Sequence, residues 1–287
     1  MSNRQRHICQ FASGLLAPAA LLLSSSCNRN EVKDYDISYD LCCEVICTPY
    51  TKAEDKNNYY CIWAYDSSTH EAEFEAATLV RQGQYWCPQG GYLWESSKIL
   101  DIYAAAPLSR ARFDLESGVC FDSFSISEGV DPLYIEPLMG CRTTYSLGVV
   151  SLEFKSALSK LRFYVQSNCS NDTQVAIKEL AINGLAQSGS FRSLPLANWT
   201  TEGDRISMSS FSGSHSVSAD RSIVCEQRII PQSALAQIEL VCDFTVNGVL
   251  IQNQILTVNY HLNSRPGKLY ELCLSIYEDF SLKIEKI

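Results

Sequence analysis

The segment Gly148–Val165, which reads GVVSLEFKSALSKLRFYV, lies near the middle of the chain and carries its clearest pattern. Val150, Leu152 and Phe154 alternate with polar residues, and this period of two is typical of a half-buried strand. The alternation resumes in the second half of the segment, up to Val165. A single helix is the alternative, because the leucines of the segment also recur at helical spacing. The aromatic and β-branched residues at both ends favour two strands joined by a tight connection.

Short alternating runs separated by turn residues continue on both sides of this segment. Tyr59–Tyr65 is continuously apolar, which predicts a strand buried on both faces. Asn183–Gly184 and Asn247–Gly248 are predicted hairpin turns, and Thr200–Asp220, rich in Ser, Thr and Gly, is a predicted loop. Regular short strands with frequent turn signals predict an all-β chain, most simply two β-sandwiches.

The 287 residues suffice for two ordinary domains, and the net charge of −9 opposes nucleic-acid binding. Several of the 13 cysteines fall in phase with apolar residues of strands, where they act as small core side chains. Cys42, Cys43 and Cys47 lie close together without a CxxC pair or a nearby histidine, so we predict no metal and no cofactor. One or two disulfides are compatible with the sequence, which does not specify their pairing.

Residues 1–27 have the pattern of an export signal. Arg4 and Arg6 precede the apolar segment Phe11–Leu23, which is too short to span a bilayer comfortably. The segment leads into LLLSSSC, which resembles a bacterial lipobox in which Cys27 is acylated, for example with palmitate, and becomes the new N-terminus. Ser24 stands where such motifs prefer leucine, and an ordinary signal peptide followed by a chance cysteine is the alternative. Residues 28–39 are polar and acidic, as expected for a solvated tether.

Candidate catalytic groups are few. His215 lies in the sequence GSHS, but no GxSxG nucleophile elbow accompanies it. Asp131 and Glu136 could form the acid pair of a glycosidase, although acidic residues in loops are usually just solvated. We therefore predict that the protein is not an enzyme.

Six segments, in the same order along the chain, resemble motifs of the fimbrillin-like lipoproteins of Bacteroidetes (the Mfa-like and major fimbrium subunits). Ser156 departs from that pattern, because a histidine is common at its position. The segments are WESSKILDIYAAAP (Trp94–Pro107), DPLYI (Asp131–Ile135), VSLEFKSALSKLRFYV (Val150–Val165), GLAQSGSF (Gly184–Phe191) with Trp199, IIPQ (Ile229–Gln232) and PGKLYELCLSI (Pro266–Ile276).

The resemblance implies two tandem transthyretin-like β-sandwich domains, at residues 40–147 and 148–287. It also implies a lipid-anchored, surface-exposed protein of the outer membrane that belongs to a fimbrium, or pilus. In that family a protease removes the first strand, and the vacated groove accepts a strand from the next subunit. The candidate displaced strand here carries Leu41, Cys43, Val45 and Cys47. The candidate donor is the terminal strand at residues 280–284, with Phe280, Leu282 and Ile284.

The site of proteolytic maturation is open. Arg29 precedes the candidate first strand, so a cut there would leave the strand in place, whereas Lys52 and Lys56 follow it in a charged loop. An uncut chain would suit an anchor, a terminating subunit or a surface adhesin. We thus expect a non-catalytic fimbrial subunit or fimbria-associated adhesin whose partners are other subunits, further copies of itself, or host glycans and proteins.

A carbohydrate-binding outer-membrane lipoprotein of a glycan-uptake system is the alternative function. It rests on an aromatic cluster formed by Tyr85, Trp86, Tyr92 and Trp94. Exposed on a rim, these rings could stack on sugars, whereas buried rings would favour the fimbrial function.

Overall fold

Strands dominate the regular structure of the chain. The computed structural model describes residues 37–47, 59–143 and 147–287. The predicted leader and most of the tether lie outside these residues, as do Cys27, Arg29, Lys52 and Lys56. In the described ranges, no helix has the length and apolar character needed to cross a membrane.

The strands of the first half of the chain are short, and the later ones reach 20 residues. In chain order they are β1 (Ser38–Asp40), β2 (Cys42–Cys47), β3 (Cys61–Asp66), β4 (Ala72–Gln82), β5 (Tyr85–Pro88), β6 (Leu93–Glu95), β7 (Leu100–Ala106), β8 (Ala111–Asp114), β9 (Gly118–Ser125), β10 (Leu133–Tyr134), β11 (Leu138–Cys141), β12 (Val149–Ser156), β13 (Ser159–Ser167), β14 (Thr173–Arg192), β15 (Asn198–Val217), β16 (Ser222–Ile229), β17 (Ser233–Val246), β18 (Val249–Asn263), β19 (Leu269–Ile276) and β20 (Leu282–Lys286). A 3₁₀ turn at Ile126–Glu128 follows β9.

One eight-stranded sheet has the order β10-β12-β2-β5-β4-β3-β7-β11. Strand β10 also pairs with β7, so the path of strand pairings closes on itself. Alternate side chains of β12 and β2 meet those of β3 and β7 in one core, represented by Leu152, Phe154, Cys43, Ile62 and Ile102.

Two further sheets face each other as a sandwich. The four-stranded sheet has the order β16-β13-β19-β20, and the six-stranded sheet has the order β18-β17-β14-β9-β8, with β15 paired to β14. Phe163 of β13 and Leu274 of β19 share a core with Ile177 of β14 and Leu240 of β17. The all-β prediction is confirmed.

A third core joins the two groups of strands. Trp63 of β3 and Tyr103 of β7 share it with Phe121 of β9 and Phe191 of β14. Both faces of β3 are therefore covered, and its first five residues are all buried, as the apolar run Tyr59–Tyr65 predicted.

The Gly148–Val165 segment forms two strands, β12 and β13, as predicted. They belong to different sheets: β12 pairs with β2 and β10, whereas β13 pairs with β16 and β19. Strand pairing also crosses the proposed domain boundary at residues 147 and 148, because β9 pairs with β14. The described residues, 37–47, 59–143 and 147–287, belong to a single compact unit, and the division into domains 40–147 and 148–287 stays a prediction.

Two local predictions were wrong. Thr200–Asp220 is largely strand β15, whose exposed polar residues are those of an outer strand that pairs with β14. Asn183–Gly184 lies inside β14 at a register shift, where Gly184 has φ +87°. Glycine there forms a bulge rather than a turn. The Asn247–Gly248 hairpin between β17 and β18 is confirmed, with φ of +48° and +79° at the two residues.

Candidate functional site

Strand β2, the candidate displaced strand, lies inside the eight-stranded sheet. It is parallel to β12 over six residue pairs, from Val149 opposite Cys42 to Phe154 opposite Cys47. On its other side it meets β5 in an antiparallel bridge between Cys43 and Trp86. Strand β2 thus lies between β12 and β5, neither of which directly precedes or follows it in the chain.

The side chains of β2 alternate as the sequence predicted. Leu41 and Cys43 are buried, and Val45 and Cys47 pack against the same core. Burial raises the pKa of the Cys43 thiol, so this cysteine is a neutral core side chain. Ile46, on the opposite phase, is 41% exposed.

The groove that holds β2 is lined by aromatic and aliphatic side chains. Val150, Leu152 and Phe154 of β12 form one wall. Tyr60 stands between Phe154 and Trp86, with ring centroids 4.8 Å and 5.1 Å from theirs, respectively. A segment with alternate apolar side chains and free backbone groups matches such a groove, which is the geometry of β-strand addition.

The candidate donor strand is placed in its own sheet. Strand β20 pairs with β19 at the edge of the four-stranded sheet. Leu282 is buried there, Ile284 packs against the same core, and Phe280 meets Phe244 edge to face at 4.7 Å. The structure therefore does not bring the candidate donor into contact with the β2 groove of the same chain.

Several of the motif segments meet at the connection between β12 and β13. The Ala157 N–H donates to Pro132 O at 2.8 Å, and Trp199 Nε1 donates to Ala157 O at 2.6 Å. The Gly267 N–H donates to Leu158 O at 2.9 Å. Residues far apart in the sequence thus fix the point where the chain passes from one sheet to another.

Asp131 supplies the buried charge of this connection. Its Oδ1 accepts a 2.5 Å hydrogen bond from Ser156 Oγ, and Arg228 Nη2 lies 3.5 Å from Oδ2. Burial raises the pKa of this carboxyl group, against the opposing effects of Ser156 and Arg228. A cavity of about 320 Å³ adjoins Asp131 and Arg228. Glu136 instead binds Lys155 Nζ at 2.6 Å, so each of the two carboxylates considered as an acid pair has a partner of its own.

His215 lies on β15, and its Nε2 is 2.9 Å from Ser222 Oγ at the start of β16. The serines beside it in GSHS are not its partners in this bond. In the described part of the chain, no group of three or more His, Cys, Asp or Glu side chains is placed to hold a metal ion.

The four aromatic residues that could have stacked on sugars do not form an exposed platform. Trp86 and Trp94 are buried, and Tyr85 is half-buried. The hydroxyl of the half-buried Tyr92 donates to Glu73 Oε2 at 2.7 Å. With two rings buried and two half-buried, the cluster is closer to the buried arrangement that was expected to favour the fimbrial function over glycan binding.

Sequence analysis did not predict one feature of this site: Cys42 Sγ lies 3.1 Å from Cys87 Sγ. The two residues are 45 positions apart, and only the pairing of β2 with β5 brings them together.

No family model and no curated protein matches this sequence. Solved structures do match. A fimbrial protein from Bacteroides vulgatus is similar with a TM-score of 0.60 at 13% identity, over 87% of this chain and 98% of that one. A candidate cell adhesion protein from Bacteroides uniformis is similar with a TM-score of 0.55 at 12% identity, over 87% and 96% of the two chains. At these identities the similarity establishes the fold, and the chain thus has the all-β fold of Bacteroides fimbrial and cell adhesion proteins that the six motifs predicted.

Proposed function

We propose that this protein is a non-catalytic fimbrial subunit or fimbria-associated surface adhesin that assembles by β-strand addition. In this proposal the chain is exported, acylated at Cys27 and held at the outer membrane. Its partners are other fimbrial subunits or further copies of itself. The fold shared with fimbrial and cell adhesion proteins supports the proposal.

The position of β2 is the observation that carries the proposal. Strand β2 lies between β12 and β5, and its apolar side chains fill a groove of the core. Removal of β2 would leave backbone donors and acceptors of both neighbours unpaired and would expose Leu152 and Phe154 to water. A new strand of the same alternation would satisfy both requirements.

The test is to open the groove and offer it a strand. The full chain, kept reduced with dithiothreitol throughout, would be digested briefly with a lysine-specific protease that cuts at Lys52 or Lys56, between β2 and β3. A fluorescent peptide of residues 278–287 would then be added, and its binding followed by anisotropy. Uptake by the cut protein only is expected, because the uncut protein retains β2 in the groove.

A matched pair of peptides identifies the cause of uptake. Replacement of Leu282 and Ile284 by serine should abolish binding, whereas replacement of Lys283 and Glu285 should not, because the first pair carries the apolar face. Equal binding of both variants, or none of the native peptide to the cut protein, would contradict assembly through this strand.

A further inference from the structure

The facing thiols of Cys42 and Cys87 are a feature that packing alone does not require. Cys43 and Trp86 are paired across β2 and β5, so Cys42 and Cys87 are the next directly opposite pair of an antiparallel ladder. Directly opposite residues in such a ladder have Cα atoms about 4.5 or 5.5 Å apart, and both separations are within the range that disulfides span. Their Sγ atoms are 3.1 Å apart.

We propose that Cys42 and Cys87 form a disulfide that fastens β2 to β5. The link acts on the strand that the proposed function requires to leave, so this consequence rests on the proposed function. A chain cut after β2 would keep that strand covalently attached until the disulfide is reduced. Reduction by a dithiol, which becomes a disulfide as Cys42 and Cys87 regain their thiols, would then be the step that releases the groove for a new strand.

The two cysteines differ in their access to an oxidant. Cys42 is half-buried and Cys87 is buried. Desolvation by burial and the contact with Cys42 raise the pKa of the Cys87 thiol to about 12. Cys42 is therefore the sulfur that meets the oxidant first.

The oxidant is a disulfide, either that of a thiol–disulfide oxidoreductase or oxidised glutathione. The Cys42 thiolate attacks one of its sulfurs, forming a mixed disulfide and expelling one thiolate. Cys87 then attacks Cys42 Sγ and expels the second thiolate. The two protons of the cysteines pass to the two departing sulfurs, so two thiols and one disulfide give one disulfide and two thiols.

Peptide mapping tests the link without any variant. The full chain would be incubated with oxidised glutathione, its remaining thiols alkylated, and the protein digested with trypsin without reduction. Trypsin yields residues 34–52, which carry Cys42, Cys43 and Cys47, and residues 82–98, in which Cys87 is the one cysteine. The expected result is these two peptides joined, with Cys43 and Cys47 alkylated once the denatured peptides are exposed to the reagent.

Two matched variants identify the partner. Cys42→Ser should lose the joined peptide, whereas Cys47→Ser, on the same strand, should retain it, because its Sγ lies beside Tyr60 Oη at 3.8 Å. The link closes an interval of 45 residues, so its reduction should lower Tm by roughly 10 °C. Separate alkylated peptides after oxidation, or a joined peptide that persists in Cys42→Ser, would overturn the proposal.

The consequence for strand release is tested on the protein cut at Lys52 or Lys56. The N-terminal fragment should remain with the body during size exclusion when oxidised and should leave after reduction. A fragment that leaves the oxidised protein would overturn the link. A fragment that stays after reduction would instead contradict strand release, and so the proposed function, while the peptide map still decides whether the disulfide exists.

Discussion

Asp131 is a carboxyl group held in a buried position by two different partners. Ser156 Oγ donates to it, and Arg228 lies beside its second oxygen. Its pKa is nonetheless raised, because desolvation of the ionised carboxylate outweighs the stabilisation that these two partners give it. A raised carboxyl pKa means that the folded protein binds the proton more tightly than the unfolded chain does, so ionisation lowers stability as pH rises.

We predict that Asp131→Asn gains stability relative to the unmodified protein as pH rises from about 4 to 7, the interval above the pKa of an unfolded aspartate. The free energy of unfolding of both proteins, measured in urea across this interval, gives the comparison. A relative stability that changes in the opposite direction would mean that the attraction of Arg228 outweighs desolvation.

Alanine substitutions at two glycines distinguish the cost of an unfavourable backbone conformation from the cost of a steric clash. Gly184 and Gly248 both have positive φ, +87° and +79°. A Cβ at Gly248 would meet no atom within 4 Å, whereas one at Gly184 would lie 2.9 Å from Leu235 O.

We therefore expect Gly248→Ala to lower the free energy of unfolding by about 1 kcal/mol, the usual cost of positive φ for alanine. Gly184→Ala should cost more, because a backbone carbonyl of β17 must also move. Chemical denaturation of both variants measures the difference. Equal losses in the free energy of unfolding of the two variants would show that the β14 bulge accommodates the added methyl group without further cost.

Arg162 links three adjacent strands of the four-stranded sheet. Its Nε donates to Glu226 Oε1 on β16 at 2.6 Å, and its Nη1 donates to Glu271 Oε1 on β19 at 2.9 Å. Hydrogen bonds from Tyr164 and Arg162 lower the pKa of Glu271. Burial opposes a lower pKa at Glu226, but the bonds from Arg162 and Lys160 outweigh it.

A lowered carboxylate pKa stabilises the folded protein above the unfolded value near 4.3 and ceases to do so as pH falls through the folded pKa. The unmodified protein should thus lose more stability between pH 6 and pH 3 than Arg162→Gln does. Urea denaturation at both pH values measures this. High salt at pH 6 should reduce the difference in the free energy of unfolding between the unmodified protein and Arg162→Gln, since these groups are near the surface. If that difference is the same at pH 3 as at pH 6, the lowered pKa values of the two glutamates are due to their other hydrogen-bond donors.

At the scale of strands and turns, local sequence patterns predicted some features correctly and missed others. Alternation at Leu41, Cys43, Val45 and Cys47 predicted the buried face of β2, because burial of one face depends on local spacing alone. The two Asn-Gly pairs could not be told apart, since one closes a hairpin and the other lies in a strand that continues past a bulge. Strand β15 was missed because its neighbour β14 supplies the pairing that its own composition does not suggest.

At the scale of the whole molecule, sheets and a shared core connect the two halves of the chain. Strand β12 completes the sheet of the first half, and β9 extends that of the second. Trp63 and Phe191 meet in the core between them. None of these pairings could be read from the sequence, because topology rather than local pattern brings the strands together: Ser125 of β9 lies opposite Ser188, and Cys42 of β2 lies opposite Val149. The same reason hid the approach of Cys42 to Cys87.

We predict a single thermal unfolding transition for residues 36–287, because separating the halves would break both sheets and the shared core. Far-ultraviolet circular dichroism and tryptophan fluorescence, recorded on the same sample, should give coincident midpoints. Two resolved transitions would instead support independent domains at residues 40–147 and 148–287.

The parallel pairing of β2 with β12 has a consequence for the order in which the chain is expected to fold. Glu44 and Ser151, which lie opposite each other, are 107 residues apart in the chain. Contacts between residues this far apart in the chain form late, because the entropy lost on closing a long loop must be overcome before the contacts can stabilise the protein. We therefore expect the circuit of the eight-stranded sheet to close late, when β2 pairs with β12. On the proposed function, a newly made chain would until then present an open groove beside β12 that an exposed strand of another chain could enter first, so the timing of folding as well as affinity would decide which strand occupies the groove.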